Sequence, residues 1–319
     1  MPVYNSLIDR TDAAPLMPEE ASRQIIQALP QQSAALRLFR QVTMSRAQQR
    51  MPVLAALATA YFVGSDTGLK QTTEISWQNK YLNAEELAVI VPVPQAVLDD
   101  SDFDIWGEVR PRLVEAFGRA LDAAIFFGTN KPATWPDDIV TAATAAGNSV
   151  ALGTGVDIAD DIGSTDGIMA KVENDGFDVN FFVGATSVKA QLRGLRTTDG
   201  VLIFQPSLTA GTPNSLYGQP LEFPQNGAWD ATKALLICGD RTQGIIGLRQ
   251  DIQVRLLDQA VIQDGSGTIV YNLAQQDMVA LRATMRVAWQ VANPITNLQT
   301  DDDLRYPFAV LTPAAGSGS

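Results

Sequence analysis

Residues 104–127 constrain this chain more than any other stretch, because they read as one long amphipathic helix. Ile105, Trp106, Val109, Leu113, Phe117, Ala120, Leu121 and Ile125 recur along a single face. Asp104 stands where an N-cap belongs, Gly128 ends the run, and Pro111 bends the helix or marks where its regular part begins. At 1.5 Å per residue such a helix is about 36 Å long, the length of a spine. Directly before it, the apolar run Leu87-Ala88-Val89-Ile90-Val91-Pro92-Val93-Pro94 predicts a buried strand closed by its prolines.

Residues 51–86 predict a long hairpin. Tyr61-Phe62-Val63 is strongly β-prone, Gly64-Ser65-Asp66-Thr67-Gly68 is a turn cluster, and the return limb carries Ile75, Trp77 and Tyr81. A two-stranded ribbon alone is marginal in water. Its apolar side chains therefore need a second surface, in this chain or in a neighbouring one.

Residues 1–50 read as an arm with short helices. Pro18-Glu19-Glu20 suits a helix start, and Ala21, Ile25, Ile26 and Leu29 keep helical spacing until Pro30. A second short run holds Leu36, Leu38 and Phe39. Between Ala21 and Ser65 there is no acidic residue but five arginines, Arg23, Arg37, Arg40, Arg46 and Arg50. Two readings are open: a solvated basic face, or an arm lying on an acidic surface of another subunit or facing nucleic acid.

From residue 129 to 267 the pattern becomes α/β. A loose stretch over 141–155 precedes a helix over 158–175, a strand over 180–184 and a helix over 187–195. Leu216-Tyr217-Gly218-Gln219-Pro220-Leu221 is a turn entering a strand. Residues 234–238 predict a strand ended by Gly239-Asp240, with further strands over 253–257 and 268–270. Met278–Val291 reads as a returning amphipathic helix ended by Asn293-Pro294, and the chain closes in a frayed tail of small residues.

Composition excludes much chemistry. Histidine is absent and Cys238 is the only cysteine, so histidine-dependent triads, cysteine–histidine dyads, His/Cys zinc sites and internal disulfides are impossible within one chain. The balance of 23 basic against 35 acidic residues, a net charge of −12, is opposite to that of a duplex-binding domain. The cluster Asp99-Asp100-Ser101-Asp102-Phe103-Asp104 fails as a calcium loop in both registers tried, and reads as a turn with a helix N-cap. Asp157, Asp160, Asp161 and Asp166 read as a solvated helix start, and Asp301-Asp302-Asp303 as an exposed turn. Gly153-Thr154-Gly155 lacks the third glycine of a dinucleotide fingerprint. Acids are abundant, but nothing selects a catalytic carboxylate pair. Cys238, within Leu235-Leu236-Ile237-Cys238, reads as an inert core thiol. No apolar run reaches the length of a membrane span and no signal peptide is present, so a soluble intracellular product is expected.

The order of pieces resembles the major capsid proteins of tailed bacteriophages, with the fold named after phage HK97. Pro18-Glu19-Glu20-Ala21-Ser22-Arg23-Gln24-Ile25-Ile26 resembles the start of that family's arm. Arg50-Met51-Pro52-Val53 through Trp77 and Tyr81-Leu82 resembles its extended loop. The run from Glu86 to Pro94 and the helix to Phe127-Gly128 resemble the peripheral domain, and the turns at Leu216–Leu221 and Gly239-Asp240 the axial domain. The resemblance runs from about residue 18 to 298.

The resemblance implies an α+β fold with an N-terminal arm (1–50), an extended β-hairpin loop (51–86), a peripheral domain with a spine helix (87–130 and 270–298), an α/β axial domain (131–269) and a C-terminal tail (299–319). It implies a non-catalytic virion protein, assembled in the host cytoplasm into an icosahedral shell of pentamers and hexamers around double-stranded DNA. It carries no cofactor, no metal and no membrane contact. Portal, separate scaffolding and decoration proteins are the implied partners, and the DNA is enclosed without sequence-specific binding. The arm begins almost at Met1, so the long scaffolding segment of the family is expected as a separate protein or as a segment already removed. Intersubunit contacts are expected at Arg23, Arg37, Arg40, Arg46, Arg50, Tyr61, Phe62, Trp77 and Tyr81. In the type member, a loop lysine forms an isopeptide bond to an asparagine with a glutamate assisting. Here Lys70 and Lys80 lie in the loop, but the partner positions fall on Asp277 and Thr284, so no covalent cross-link is expected. An encapsulin-like compartment shell and a soluble carboxylate-dependent α/β enzyme are the alternatives.

Overall fold

The computed structural model describes residues 33–58, 60, 72–99, 105–195 and 215–314. The basic stretch opens with helix α1 (Ala34–Leu38) and strand β1 (Arg40–Thr43), followed by β2 (Gln48–Ala56), β3 (Ser76–Asn83) and β4 (Glu85–Pro94). A short α2 (Gln95–Asp99) precedes the spine helix α3 (Ile105–Phe127). The α/β region runs α4 (Ile139–Ala145), β5 (Ser149–Ala151), α5 (Ile158–Gly163), α6 (Ile168–Asn174), β6 (Phe181–Gly184) and α7 (Thr186–Gly194). It continues with β7 (Ser215–Leu216), β8 (Gln219–Glu222) and β9 (Leu236–Gly239). The last strands are β10 (Gly244–Leu257), β11 (Val261–Gln263), β12 (Ile269–Asn272), β13 (Met278–Val291) and β14 (Phe308–Thr312).

Two sheets organise the body, a four-stranded one in the order β1-β10-β13-β4 and a six-stranded one in the order β5-β14-β9-β6-β8-β7. The spine helix carries Pro111 and stops at Gly128, whose φ of +69° is the left-handed conformation that ends a helix. Its inner face, Leu113, Val114, Phe117, Leu121 and Ile125, packs on the four-stranded sheet through Leu281, Ala283, Met285 and Val287 of β13. Burying each large apolar side chain there contributes roughly 1.5–3 kcal/mol. Asp104 lies outside the described residues.

Four sequence expectations need correction. Met278–Val291 is a strand, not a helix: Leu281, Ala283, Met285, Val287, Trp289 and Val291 are buried, while Arg282, Thr284, Arg286 and Gln290 are only half-buried. That is a period of two, with one face on the spine helix. The helix expected over 158–175 is two helices, because Ser164-Thr165-Asp166-Gly167 turns the chain between them, with Gly167 N–H donating to Ser164 O at 3.0 Å. The tail expected over 299–319 contains β14, which is hydrogen-bonded on one edge to β5 and on the other to β9. Phe308, Ala309, Val310 and Leu311 are fully buried, so burial of an unbroken apolar run overrides terminal position. Finally, β10 falls within the stretch expected to be axial, yet pairs with β13 and β1 in the sheet that holds the spine helix.

The two limbs of the hairpin and the turn before β8 form as the sequence predicts, while Tyr61-Phe62-Val63 and the turn cluster 64–68 lie outside the described residues. β4 forms as a strand but is not buried as expected, since only Val93 is buried and Ile90 is exposed. At the turn before β8, Tyr217 and Gly218 both have positive φ, 49° and 79°, the geometry a two-residue hairpin needs. The end of the basic stretch differs from a free arm: Ala34, Ala35, Leu36, Leu38 and Phe39 are buried. Phe39 reaches the centre of the molecule, where its ring meets Phe126 of α3, Phe181 of β6, Trp289 of β13 and Phe308 of β14. Among the described residues, no helix is long and apolar enough to cross a membrane.

Candidate assembly surfaces

The β2–β3 ribbon has two faces of opposite character. Its register places Leu54 against Trp77, Pro52 against Asn79 and Arg50 against Tyr81, with Met51 facing Lys80 between them. Alternation then puts Met51, Val53, Lys80 and Leu82 on one face and Arg50, Pro52, Leu54, Trp77, Asn79 and Tyr81 on the other. The first face seals onto the body. Val53 is buried, and Leu82 packs with Met44, Ile245 and Ala288. The amide of Ile295 donates to Leu54 O at 3.1 Å, Gln290 Nε2 to Tyr81 O at 3.0 Å, and Trp135 Nε1 to Asn83 O at 3.1 Å. Burial lowers the Lys80 ammonium below its ordinary pKa, Asp302 opposes that shift and Arg305 adds to it.

The second face is left open. Trp77 is 65% exposed and Tyr81 44%, and Ile75 just before the ribbon is exposed as well. Arg40, Arg46 and Arg50 are exposed, and among the described residues no carboxylate lies within ion-pair distance of them. Arg37 differs, since its guanidinium stands 3.0 Å from Glu222 at the end of β8. Burial raises the Glu222 carboxyl, Arg37 opposes this, and the Asp122 charge adds to it. Arg23, Tyr61 and Phe62 lie outside the described residues.

Asp122 anchors the start of α1 to the spine helix. This spine-helix carboxylate is 1% exposed and accepts from Ser33 Oγ at 2.7 Å, Ala34 N at 2.9 Å, Ala35 N at 3.0 Å and Asn226 Nδ2 at 2.6 Å. It satisfies the exposed N–H groups of α1 and ties the arm's end to the spine and to the 226–228 loop.

Asp301-Asp302-Asp303 is exposed as expected, in the loop between β13 and β14, but sequence reasoning did not single out the leucines around it. Leu298 is 71% exposed and Leu304 51%, on either side of exposed Asp301, Asp302 and Asp303. The loop closes on Arg305, almost fully buried, whose Nη2 donates to Asp302 Oδ1 at 2.7 Å and whose Nη1 donates to Gln299 O at 3.1 Å. Two leucines flanking an acidic run was the available signal.

A groove of about 810 Å³ lies between α3 and the start of β4. Of its charges, Glu86 pairs with Arg286 at 2.8 Å and Arg112 with Glu115 at 3.3 Å, Glu85 accepts from Thr134 Oγ1 at 2.6 Å, and Arg119 also lines the groove. No group of three or more acidic or cysteine side chains could hold a metal among the described residues. The acids of 157–161 open α5 as the sequence predicts: Asp157 caps the helix, its Oδ1 accepting from Ala159 N and Asp160 N, whereas Asp161 is buried instead of solvated and accepts from Gly153 N and Gly155 N. Cys238 is fully buried, and desolvation pushes its thiol far above the ordinary range.

Known proteins agree with a subunit built for contacts. The family model described as "Phage capsid family" matches residues 13–296. The major capsid protein of Staphylococcus phage 80alpha is 27% identical over 280 residues, covering 86% of this chain and 81% of that protein. A solved structure from Microbacterium phage Oxtober96 is 42% identical, with a TM-score of 0.77, and covers 96% of this chain and 99% of that one. One from Mycobacterium phage Cain is 35% identical with a TM-score of 0.78, covering 97% and 99%. The family match over most of the chain decides the assignment: the chain belongs to the phage capsid family, a structural family, as a subunit of the virion shell.

Proposed function

We propose that the icosahedral shell built by this subunit is held together by repeated non-covalent burial, with the outer face of the β2–β3 ribbon lying on a neighbouring copy. The observation that carries this reading is Trp77, 65% exposed on a ribbon whose other face is sealed. Tryptophan and tyrosine dominate the energetics of such contacts, and arginines nearby fix register. The four-stranded sheet with α3 serves as the peripheral domain. The six-stranded sheet serves as the axial domain, meeting its copies around five- and six-fold axes. Double-stranded DNA is enclosed without being gripped, which a net charge of −12 favours by keeping the wall from adhering to phosphate. Portal, scaffolding and decoration proteins complete the particle. The phage origin of the relatives above supports a DNA-containing shell over an enzyme-enclosing compartment.

Trp77→Glu in the full chain tests the reading. The variant is expected to fold with an unchanged melting profile and to remain unassembled in light scattering, under conditions where the parent forms shells. Shells of normal yield from the variant would overturn it.

A further inference from the structure

Resting on that reading of the ribbon, we infer that the surface it meets is the 298–304 loop of a second copy. The ribbon's outer face combines aromatic and cationic groups: Trp77 and Tyr81 stand beside Leu54 and Arg50, and Arg40 and Arg46 are exposed upstream. The 298–304 loop combines the complementary groups, exposed Leu298 and Leu304 around Asp301, Asp302 and Asp303. Asp302 already holds Arg305, and Asp301 Oδ1 accepts from Asp303 N at 3.0 Å, so Asp303 and the second oxygen of Asp301 are the carboxylate groups that face a partner. Apolar surface faces apolar surface, and charge faces opposite charge, which steers encounter and rejects wrong registers.

The loop is also held in shape before any partner arrives. Arg305 braces it from below, Thr296 Oγ1 donates to Asp175 O at 2.6 Å, and Asp301 N donates to Gln299 Oε1 at 3.1 Å. A braced loop that presents two leucines to solvent loses little freedom on docking.

Geometry makes the contact intermolecular. Within one chain this loop flanks the ribbon's inner side, where Ile295 N meets Leu54 O and Asp302 acts on Lys80. The outer face, with Arg50, Trp77 and Tyr81, is the side of the ribbon opposite Lys80. Each ribbon is then sandwiched between its own loop and a neighbour's. Two different patches on one subunit make a head-to-tail contact, which closes into a ring when the rotation per subunit allows.

Four variants of the full chain test this, read as the protein concentration needed for shell formation in light scattering and negative stain, with circular dichroism as the folding check. Arg46→Glu/Arg50→Glu and Asp301→Lys/Asp303→Lys are each expected to raise that concentration at least about tenfold. The combined four-fold reversal is expected to restore most of it. If the charge-reversed loop fails to fold, Leu298→Glu takes its place and is expected to impair assembly. Normal assembly of either reversed pair or of Leu298→Glu, or no rescue by the combination, overturns this pairing. Trp77→Glu separates the two ideas: if it blocks assembly while the loop variants do not, the ribbon reading survives alone, and if it assembles normally both fall.

Discussion

The ring of Phe39 lies 4.9 Å from the indole of Trp289 and 5.7 Å from the ring of Phe308. One residue from the basic stretch thus touches the four-stranded and the six-stranded sheet at once. Gly244 permits the approach, since a Cβ there would overlap the Phe39 and Trp289 rings. Phe39→Ala removes this bridge and leaves a cavity between the sheets. A loss of about 3–5 kcal/mol is expected in denaturant unfolding followed by tryptophan fluorescence, against about 1–2 kcal/mol for Phe39→Leu. Equal, small losses for both would show that the two sheets do not depend on this contact.

Asp122→Ala leaves Ser33 Oγ, two amides of α1 and Asn226 Nδ2 without their acceptor, and is expected to cost about 3 kcal/mol or more. Asp122→Asn keeps the volume and is expected to cost less. Burial raises the Asp122 carboxyl above its ordinary value of 3.8, overcoming the hydrogen bonds that favour the charged form. A raised folded-state pKa means that protons bind the folded chain more tightly than the unfolded one. Its contribution is therefore fullest below the unfolded value and is lost as pH rises through the folded one. The stability gap between the parent and Asp122→Asn is expected to shrink as pH rises above about 4; a gap that widens would contradict this.

The Cys238 thiol sits in β9 between buried neighbours, with its pKa pushed up by desolvation. A thiol reagent is expected to label the folded chain at a rate limited by unfolding and the denatured chain at once. Rapid labelling of the native protein would place Cys238 at an accessible surface.

Particles boiled in detergent with reductant are expected to run as monomer on a gel. Lys80 lies on the ribbon's inner face, where the charges of Asp302 and Arg305 of its own chain act on it. The two positions that would supply an asparagine and a glutamate hold Asp277, in the turn entering β13, and Thr284, within that strand. A covalent ladder would contradict this.

The features most legible in the sequence were those whose signal is local. The ribbon, β4, the spine helix and the Tyr217-Gly218 turn each follow from residues within one or two turns of the chain. Met278–Val291 was misread because the strand is covered on both sides and is apolar at many even positions too, as at Ala288 against the ribbon's base and at Ala280 among Leu273, Ile262 and Tyr271. Its alternation shows most plainly at Arg282, Thr284 and Arg286. Residues 308–312 were read as tail because their burial depends on pairing with β5 and β9, some 160 and 70 residues earlier. Of the candidate contacts, Trp77, Tyr81, Arg40, Arg46 and Arg50 lie exposed, whereas Arg37 found its partner at Glu222 within the chain, a relationship that only the fold creates.

Electron microscopy of the purified, expressed chain, beside light scattering of the same sample, tests the central claim most directly. Closed shells with icosahedral symmetry, dissociating to monomer on boiling with reductant, are the expected result. A strictly monomeric species under every assembly condition tried would contradict it.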